Sequence, residues 1–403
     1  MRRKNDDRFI TGLDQVLSAR PSWWSQRLGL LANQASVTRE GDYAWTALAE
    51  RGAKLKCVFS PQHGLWAEEQ ANMVESDHGR LTDPPIPVYS LYGETRTPSG
   101  PMLEGLERFI VDLQDVGTRV YTFVWTLRHC LMACAEHNVA VTILDRPNPL
   151  GRVIIEGPIL DSRFQSFVGE APIPMRHGLT LAELARWIVR YESLPLELDV
   201  IPVRHWDDSA LLAQMWPLQQ WIPPSPNMPT PFTSLFYAGM VLLEGTNLSE
   251  GRGTTRPFEV VGAPFIDGHR LADDMQSLEL PGVAFRPVRF RPTFDKWQGE
   301  CCSGCRLDVR DPVRFRPYRT SIALLATIAT CWPDHFRWLP PPYEYETKKW
   351  PIDIISGSDQ LRITLSGPIG DIGEIAQRLS QVDERAWKET CRDRVIYGQG
   401  ACR

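Results

Sequence analysis

Phe109-Ile110-Val111-Asp112-Leu113-Gln114-Asp115 sets an apolar, β-branched run directly against a polar cluster. The arrangement recurs elsewhere: Arg27–Ala32 runs into Asn33-Gln34, Leu55–Phe59 into Ser60-Pro61-Gln62-His63-Gly64, and Val139–Leu144 into Asp145-Arg146-Pro147-Asn148-Pro149. Short runs of this kind, bounded by turn formers, read as strands. Between them Tyr43–Arg51 and Thr122–Asn138 read as helices, the second with Val124, Leu127, Leu131 and Ala135 along one face. Strands alternating with helices predict an α/β fold with a mostly parallel sheet. Ligands bind beyond the carboxyl ends of the strands in such a sheet, so the polar clusters mark a site.

Working outward, Thr180 and Glu183 form a capping box that opens another helix, followed by a strand at Leu198–Val203 and a helix at Asp208–Gln214. The Pro-rich stretch Ile222–Pro231 is an ordered loop, and a helix follows from Phe232 to Leu243. Beyond Gly251-Arg252-Gly253 the elements shorten: helices at Leu271–Ser277, Ser321–Thr330 and Asp371–Val382, strands at Val283–Phe290 and Arg306–Val309. This change of texture divides the chain into a parallel-sheet domain, 1–249, and a second, smaller α/β auxiliary domain, 250–403.

The 403 residues carry 44 Lys+Arg against 49 Asp+Glu, a net charge of −5, so the broad basic field that drives binding to nucleic acid or anionic lipid is missing. With 43% hydrophobic and 23% charged residues the chain has the composition of a folded globule. No apolar run approaches the ~18 residues of a membrane helix. Asp6, Asp7 and Asp14 interrupt any signal-peptide core after the basic start, so a cytoplasmic protein is expected. Nine cysteines, an odd count, point to reduced thiols. Cys301-Cys302-Ser303-Gly304-Cys305 holds a C-x-x-C spacing without a second pair, and no metal is expected. The 14 tryptophans suit either aromatic-walled grooves or the core.

Phosphate-binding P-loops, G-x-S-x-G elbows and H-E-x-x-H pairs are all absent from the sequence. Gly251-Arg252-Gly253-Thr254-Thr255-Arg256 imitates a dinucleotide loop, but its third glycine position is an arginine. What remains is carboxylate and amide in loops, with arginine for anions. That inventory suits glycoside hydrolysis, in which carboxyl groups do the proton and nucleophile work.

Phe59-Ser60-Pro61-Gln62-His63-Gly64-Leu65, Asp112–Thr122, Leu144-Asp145-Arg146-Pro147-Asn148-Pro149-Leu150-Gly151, Pro174-Met175-Arg176-His177-Gly178, Ser225-Pro226-Asn227-Met228-Pro229 and Glu244–Thr254 resemble the exo-β-N-acetylmuramidases of the NamZ type. The resemblance implies a Rossmann-like first domain, an auxiliary second domain and no nucleotide cofactor. It also implies release of N-acetylmuramic acid from the non-reducing end of peptidoglycan fragments, with muropeptides or muramic acid-containing disaccharides as substrates. Many members carry a glutamate before the His-Gly pair, a favoured catalytic candidate; here the position is Gln62. An amide is no general acid near neutral pH. Either Glu68, Glu69 or Glu75 of the same loop does the proton work, or the chain is a non-catalytic muropeptide-binding protein. Glu75 is the first choice, its pKa expected to rise through burial near Trp66 and Met73.

Substrate-contact candidates are Gln62, His63, Asp115, Tyr121, Asp145, Arg146, Asn148, His177, Asn227, Glu244, Asn247, Glu250 and Arg252. Asp115 and Asp145 serve equally well as loop caps, and Asn148 and Asn227 as partners of their own turns. Glu244 and Glu250 read as site carboxylates or buried structural ones. Arg252 and Arg256 offer planar forks to the lactyl carboxylate, or bridge domains. His63 and His177 suit substrate or loop hydrogen bonds, and Tyr121 suits the sugar or the core.

Overall fold

The computed structural model describes residues 9–70, 73–206 and 221–397. Strands β1 (Arg27–Ala32), β2 (Lys54–Ser60), β3 (Gly79–Arg80), β4 (Pro87–Ser90), β5 (Arg108–Asp112) and β6 (Ala140–Leu144) come first. They are followed by β7 (Glu156–Ile159), β8 (Pro174–Arg176) and β9 (Leu198–Ile201). The main sheet runs β3-β4-β2-β1-β5-β6-β9 and is parallel except where β3 meets β4. β7 and β8 pair separately.

Central position explains the sequence of β5: all five of its residues are buried, as in a strand covered on both faces. In β1 the residues divide by face. Leu28, Leu30 and Ala32 join a smaller core with Trp45 and Val58, while Leu31 packs into the main core. Helix Leu181–Tyr191 begins on the expected capping box, Thr180 accepting from the Glu183 amide and Glu183 from that of Thr180. Trp45 and Trp125 are core residues.

Strands β10 (Val260–Ala263), β11 (Val283–Phe290) and β12 (Cys302–Val309) make a second, antiparallel sheet in the order β10-β12-β11. The α/β class, with a large mostly parallel sheet and a smaller second one, is therefore as expected. Several elements differ from the sequence reading. Helix Gly12–Ala19 and strands β3, β4, β7, β8 and β10 were not foreseen, being short or interrupted by Gly and Pro. The helix expected at Asp208–Gln214 lies outside the described residues. The helix expected over Phe232–Leu243 is α-helical at Thr233–Met240, then tightens to a 3₁₀ turn at Val241–Gly245.

Two contacts lock the parallel sheet to the later elements. Arg119 is fully buried and donates to the carbonyls of Pro158, Ile173 and Ile355, the last at 2.9 Å and in the final turn of helix Pro351–Ser356, where carbonyls lack helical partners. Helix Thr233–Met240 packs on helix Pro317–Cys331 so closely that a Cβ at Gly239 would lie 2.1 Å from the Pro317 carbonyl oxygen. The Gly239→Ala substitution should therefore cost about 1–3 kcal/mol through overpacking. A lower urea midpoint checks this, and an unchanged one would mean the two helices part without strain.

Candidate active site

Beyond Ser60 the chain turns sharply, with His63 and Gly64 both left-handed at φ 73° and 83°. This brings two side chains inward. Gln62 is buried, its Oε1 accepting from Thr122 Oγ1 at 2.6 Å and its Nε2 donating to Glu344 Oε1 at 3.1 Å. A hydroxyl donor on one side and a carboxyl acceptor on the other fix the amide orientation. His63 Nδ1 lies 2.8 Å from the Glu69 carbonyl, so Nδ1 carries the hydrogen and Nε2 is left as an acceptor. Burial, helped by the charge of Arg252, lowers the His63 pKa to about 4 and keeps the ring neutral.

Glu344 comes from the far end of the chain. It sits in the turn Tyr343–Glu346, closed by reciprocal backbone hydrogen bonds, with φ 44° at Glu344 and 65° at Tyr345. The turn aims Glu344 into the protein, where Oε2 accepts from Tyr92 Oη at 2.7 Å. Burial raises its pKa above the usual carboxylate range, against the opposing hydrogen bonds of Tyr92 and Gln62.

Beside Glu344 lies an ion cluster. Arg252 Nη2 reaches Glu244 Oε1 at 2.6 Å, and Arg252 Nε reaches Glu250 Oε1 at 3.2 Å. Lys296 Nζ holds Glu250 Oε2 at 2.7 Å, and the Tyr343 hydroxyl donates to Glu244 Oε2. Burial alone would raise the Glu250 pKa, yet Lys296 and Arg252 outweigh it and the net shift is downward. Two carboxylates thus face two cations, all of them largely removed from water.

These groups surround two adjoining spaces. An inner chamber of about 30 Å³ is lined by Gln62, His63, Tyr121, Asn227, Glu244 and Arg252, among others. An open cavity of about 560 Å³ lies next to it, lined by Arg96, Arg128, His129, Phe167, Glu170 and Tyr345, among others. Glu344 is the residue common to both walls.

The remaining sequence candidates fall elsewhere. Glu250 stands behind Arg252 as its ion-pair partner. Asp145 caps helix Leu181–Tyr191 through the Ala182 amide and accepts from Tyr397 Oη at 2.6 Å, the capping alternative. Arg146 forks onto Asp112 at 2.6 and 2.9 Å. Asn148 bonds the Leu150 amide and the Leu179 carbonyl, and Asn247 bonds His335 and Arg337 backbone. Asp115 accepts from the Gly117 amide at 2.7 Å, and burial lifts its pKa to about 7. His177, 3.8 Å from Asp115, is wholly buried and accepts from the Leu179 amide. None of these lines the chamber.

The burial expected around Glu75 is not found. Glu75 is exposed, as are Trp66 and Met73, and its Oε1 accepts from Tyr345 Oη at 3.1 Å. Glu68 is also exposed and folds back onto the Trp66 amide, while Glu69 contributes its backbone carbonyl to His63. The sequence reading missed Glu344, Tyr92, Tyr343 and Lys296. The available signal was Pro340-Pro341-Pro342-Tyr343-Glu344-Tyr345-Glu346, an acid-and-aromatic turn behind prolines, but 282 residues separate Glu344 from Gln62. Among the described residues no cluster of three or more His, Cys, Asp or Glu side chains is placed to hold a metal ion.

Arg252→Met would leave Glu244 and Glu250 sharing one cation in a dry environment, a loss of about 3–5 kcal/mol when one partner of a buried pair is removed. Chemical denaturation measures it, and a loss below about 1 kcal/mol, the worth of a surface pair, would mean that water reaches the cluster.

The model of the N-terminal part of exo-β-N-acetylmuramidase NamZ matches residues 28–232, and that of its C-terminal part matches residues 235–397. The peptidoglycan β-N-acetylmuramidase NamZ of Bacillus subtilis strain 168 is 40% identical over 342 residues, 82% of this chain and 79% of that protein. Two crystal structures of DUF1343 family proteins from Bacteroides fragilis share the fold. One has a TM-score of 0.85 at 27% identity, the other 0.73 at 25%, each covering 97% of this chain and 99% of its own. With both halves matched in order, the chain belongs to the NamZ exo-β-N-acetylmuramidase family.

Proposed function

We propose that the protein is a glycoside hydrolase that releases N-acetylmuramic acid from the non-reducing end of peptidoglycan fragments. The observation that carries this reading, beside family membership, is a small enclosed chamber abutting an open cavity with a buried carboxyl group between them. An exo-acting enzyme needs such a division: an enclosed end for one terminal sugar and an open side for fragments of any length. A chamber of about 30 Å³ has room for about one water, so sugar binding requires its walls to move. Small muropeptides or muramic acid-containing disaccharides are the substrates this division favours.

Of the two arginines considered for the lactyl carboxylate, Arg252 lines the chamber, whereas Arg256 is exposed and pairs with Glu259 at 2.9 Å. Arg252 is therefore the proposed reader of that group. No helix among the described residues is long and apolar enough to cross a membrane. Free thiols at Cys57, Cys130, Cys134, Cys301, Cys302 and Cys305 support a cytoplasmic role in cell-wall recycling.

Purified protein should cleave a β-N-acetylmuraminide with kcat/KM about 10- to 100-fold above that for the N-acetylglucosaminide lacking the lactyl group, the range expected for losing a charged hydrogen-bond partner. Equal rates would remove the assignment. Saturable binding of muropeptide without turnover would favour the binding-protein alternative. Activity should also survive exhaustive dialysis against chelator, and its loss, restored by zinc, would show that a metal takes part.

A further inference from the structure

The geometry points to Glu344 as the group that protonates the departing glycosidic oxygen, replacing a carboxyl group at position 62. The inference rests on the hydrolase reading above and locates its chemistry. If the terminal sugar occupies the chamber and the leaving sugar the cavity, the scissile bond crosses the boundary between them, and Glu344 is the residue in both walls. A proton donor must stand within hydrogen-bond reach of that oxygen.

The other chamber carboxylate is unsuited to the task. Glu244 has one oxygen on the Arg252 guanidinium and the other on the Tyr343 hydroxyl, so it serves as the ion-pair partner of the arginine. Behind the chamber, Glu250 is held between Lys296 and Arg252. Glu344 instead meets a neutral amide, Gln62, and a neutral phenol, Tyr92. Glu244, Arg252 and the phenols of Tyr92, Tyr237 and Tyr343 act on it, His63 shares its chamber wall, and Arg96, Arg128, His129, Glu170, Glu192 and Tyr345 share its cavity wall. Glu244 opposes its ionisation and Arg252 favours it, but burial is the largest influence and keeps the proton on to higher pH than for an exposed glutamate.

The reaction then balances with one water. Glu344 gives its proton to the glycosidic oxygen as the C1–O bond breaks, and the leaving sugar departs with a free hydroxyl. The carbonyl oxygen of the substrate's own 2-acetamido group bonds to C1, forming an oxazolinium ion. Water next attacks C1, the bond between C1 and the acetamido oxygen breaks to restore the 2-acetamido group, and the Glu344 carboxylate takes the proton from water. The enzyme is returned to its starting state.

The test compares wild type with Glu344→Gln on a muramic acid-containing disaccharide and on a 4-nitrophenyl muraminide, whose leaving group needs little protonation. Glu344→Gln should lose about 10²- to 10⁴-fold in kcat/KM on the disaccharide and under about tenfold on the nitrophenyl glycoside. The basic limb of the pH profile should vanish as well. Equal losses on both substrates, or a Glu75→Gln enzyme that shows the leaving-group-dependent loss in place of Glu344→Gln, would overturn the assignment. If Glu344→Gln fails to fold, Gln62→Glu gives the answer. A second carboxyl group at the 3.1 Å hydrogen-bond contact should raise the basic limb of the wild-type profile by about one pH unit or more, and an unmoved limb would overturn the proposal. A wild-type enzyme that cleaves neither substrate would refute the function itself, a result distinct from all of these.

Discussion

The hydrogen bond from Gln62 Nε2 to Glu344 Oε1 joins the end of a parallel strand to a turn 282 residues later, and it tolerates little error. Moving either partner by an ångström breaks it and leaves one carboxyl oxygen, Oε1, buried without its donor. The two ends must therefore be held by stiff connections. Arg119 supplies one, binding carbonyls on both sides of the junction from a site that excludes water. The close approach at Gly239 supplies another, because backbone against backbone leaves no side chain to rotate away. Neither touches the chamber, yet both decide where its acid stands.

Electrostatics in the chamber divides into two kinds. Glu244, Glu250, Arg252 and Lys296 neutralise one another, so their charges persist in a setting that would otherwise reject them. Glu344 lacks a cation among its hydrogen-bond partners, and burial favours its neutral form. Glutamine at position 62 sharpens this contrast. Two carboxyl groups in contact would share a proton and titrate as a pair, whereas an amide donates without titrating and leaves a single acid whose state follows its own surroundings.

Much of the fold was legible because its strands are buried on both faces and so read as continuous apolar runs, as in β1 and β5. β4 was hidden by Pro87 and its brevity, and β10 by Gly262. Of the site candidates, Gln62, His63, Tyr121, Asn227, Glu244 and Arg252 line one chamber, where strand ends and the loop before β10 meet. Asp145 and Asn148 have the same chemistry but hold helix and loop backbones, and Arg146 forks onto Asp112 and the Val37 carbonyl, tasks that strand ends demand equally. Side-chain type alone does not separate the two uses. Glu344 was out of reach for a different reason: local spacing carries no information about a partner in another part of the chain.

The turn that carries Glu344 shows how such a residue is held. Left-handed φ angles at Glu344 and Tyr345 disfavour side-chain-bearing residues, by about 1–3 kcal/mol each. Successive side chains offset that cost by anchoring in different directions. Tyr343 bonds Glu244 in the ion cluster, Glu344 bonds Gln62 and Tyr92 at the sheet, and Tyr345 bonds Glu75 while the Arg96 guanidinium lies 3.4 Å from its ring centre. A relaxed turn, with glycine at those positions, would satisfy the backbone and lose two of the anchors. The sequence keeps strain where it fixes a carboxyl group between two spaces, and Glu75, read at first as the acid, finds its place as the outer tether of that turn.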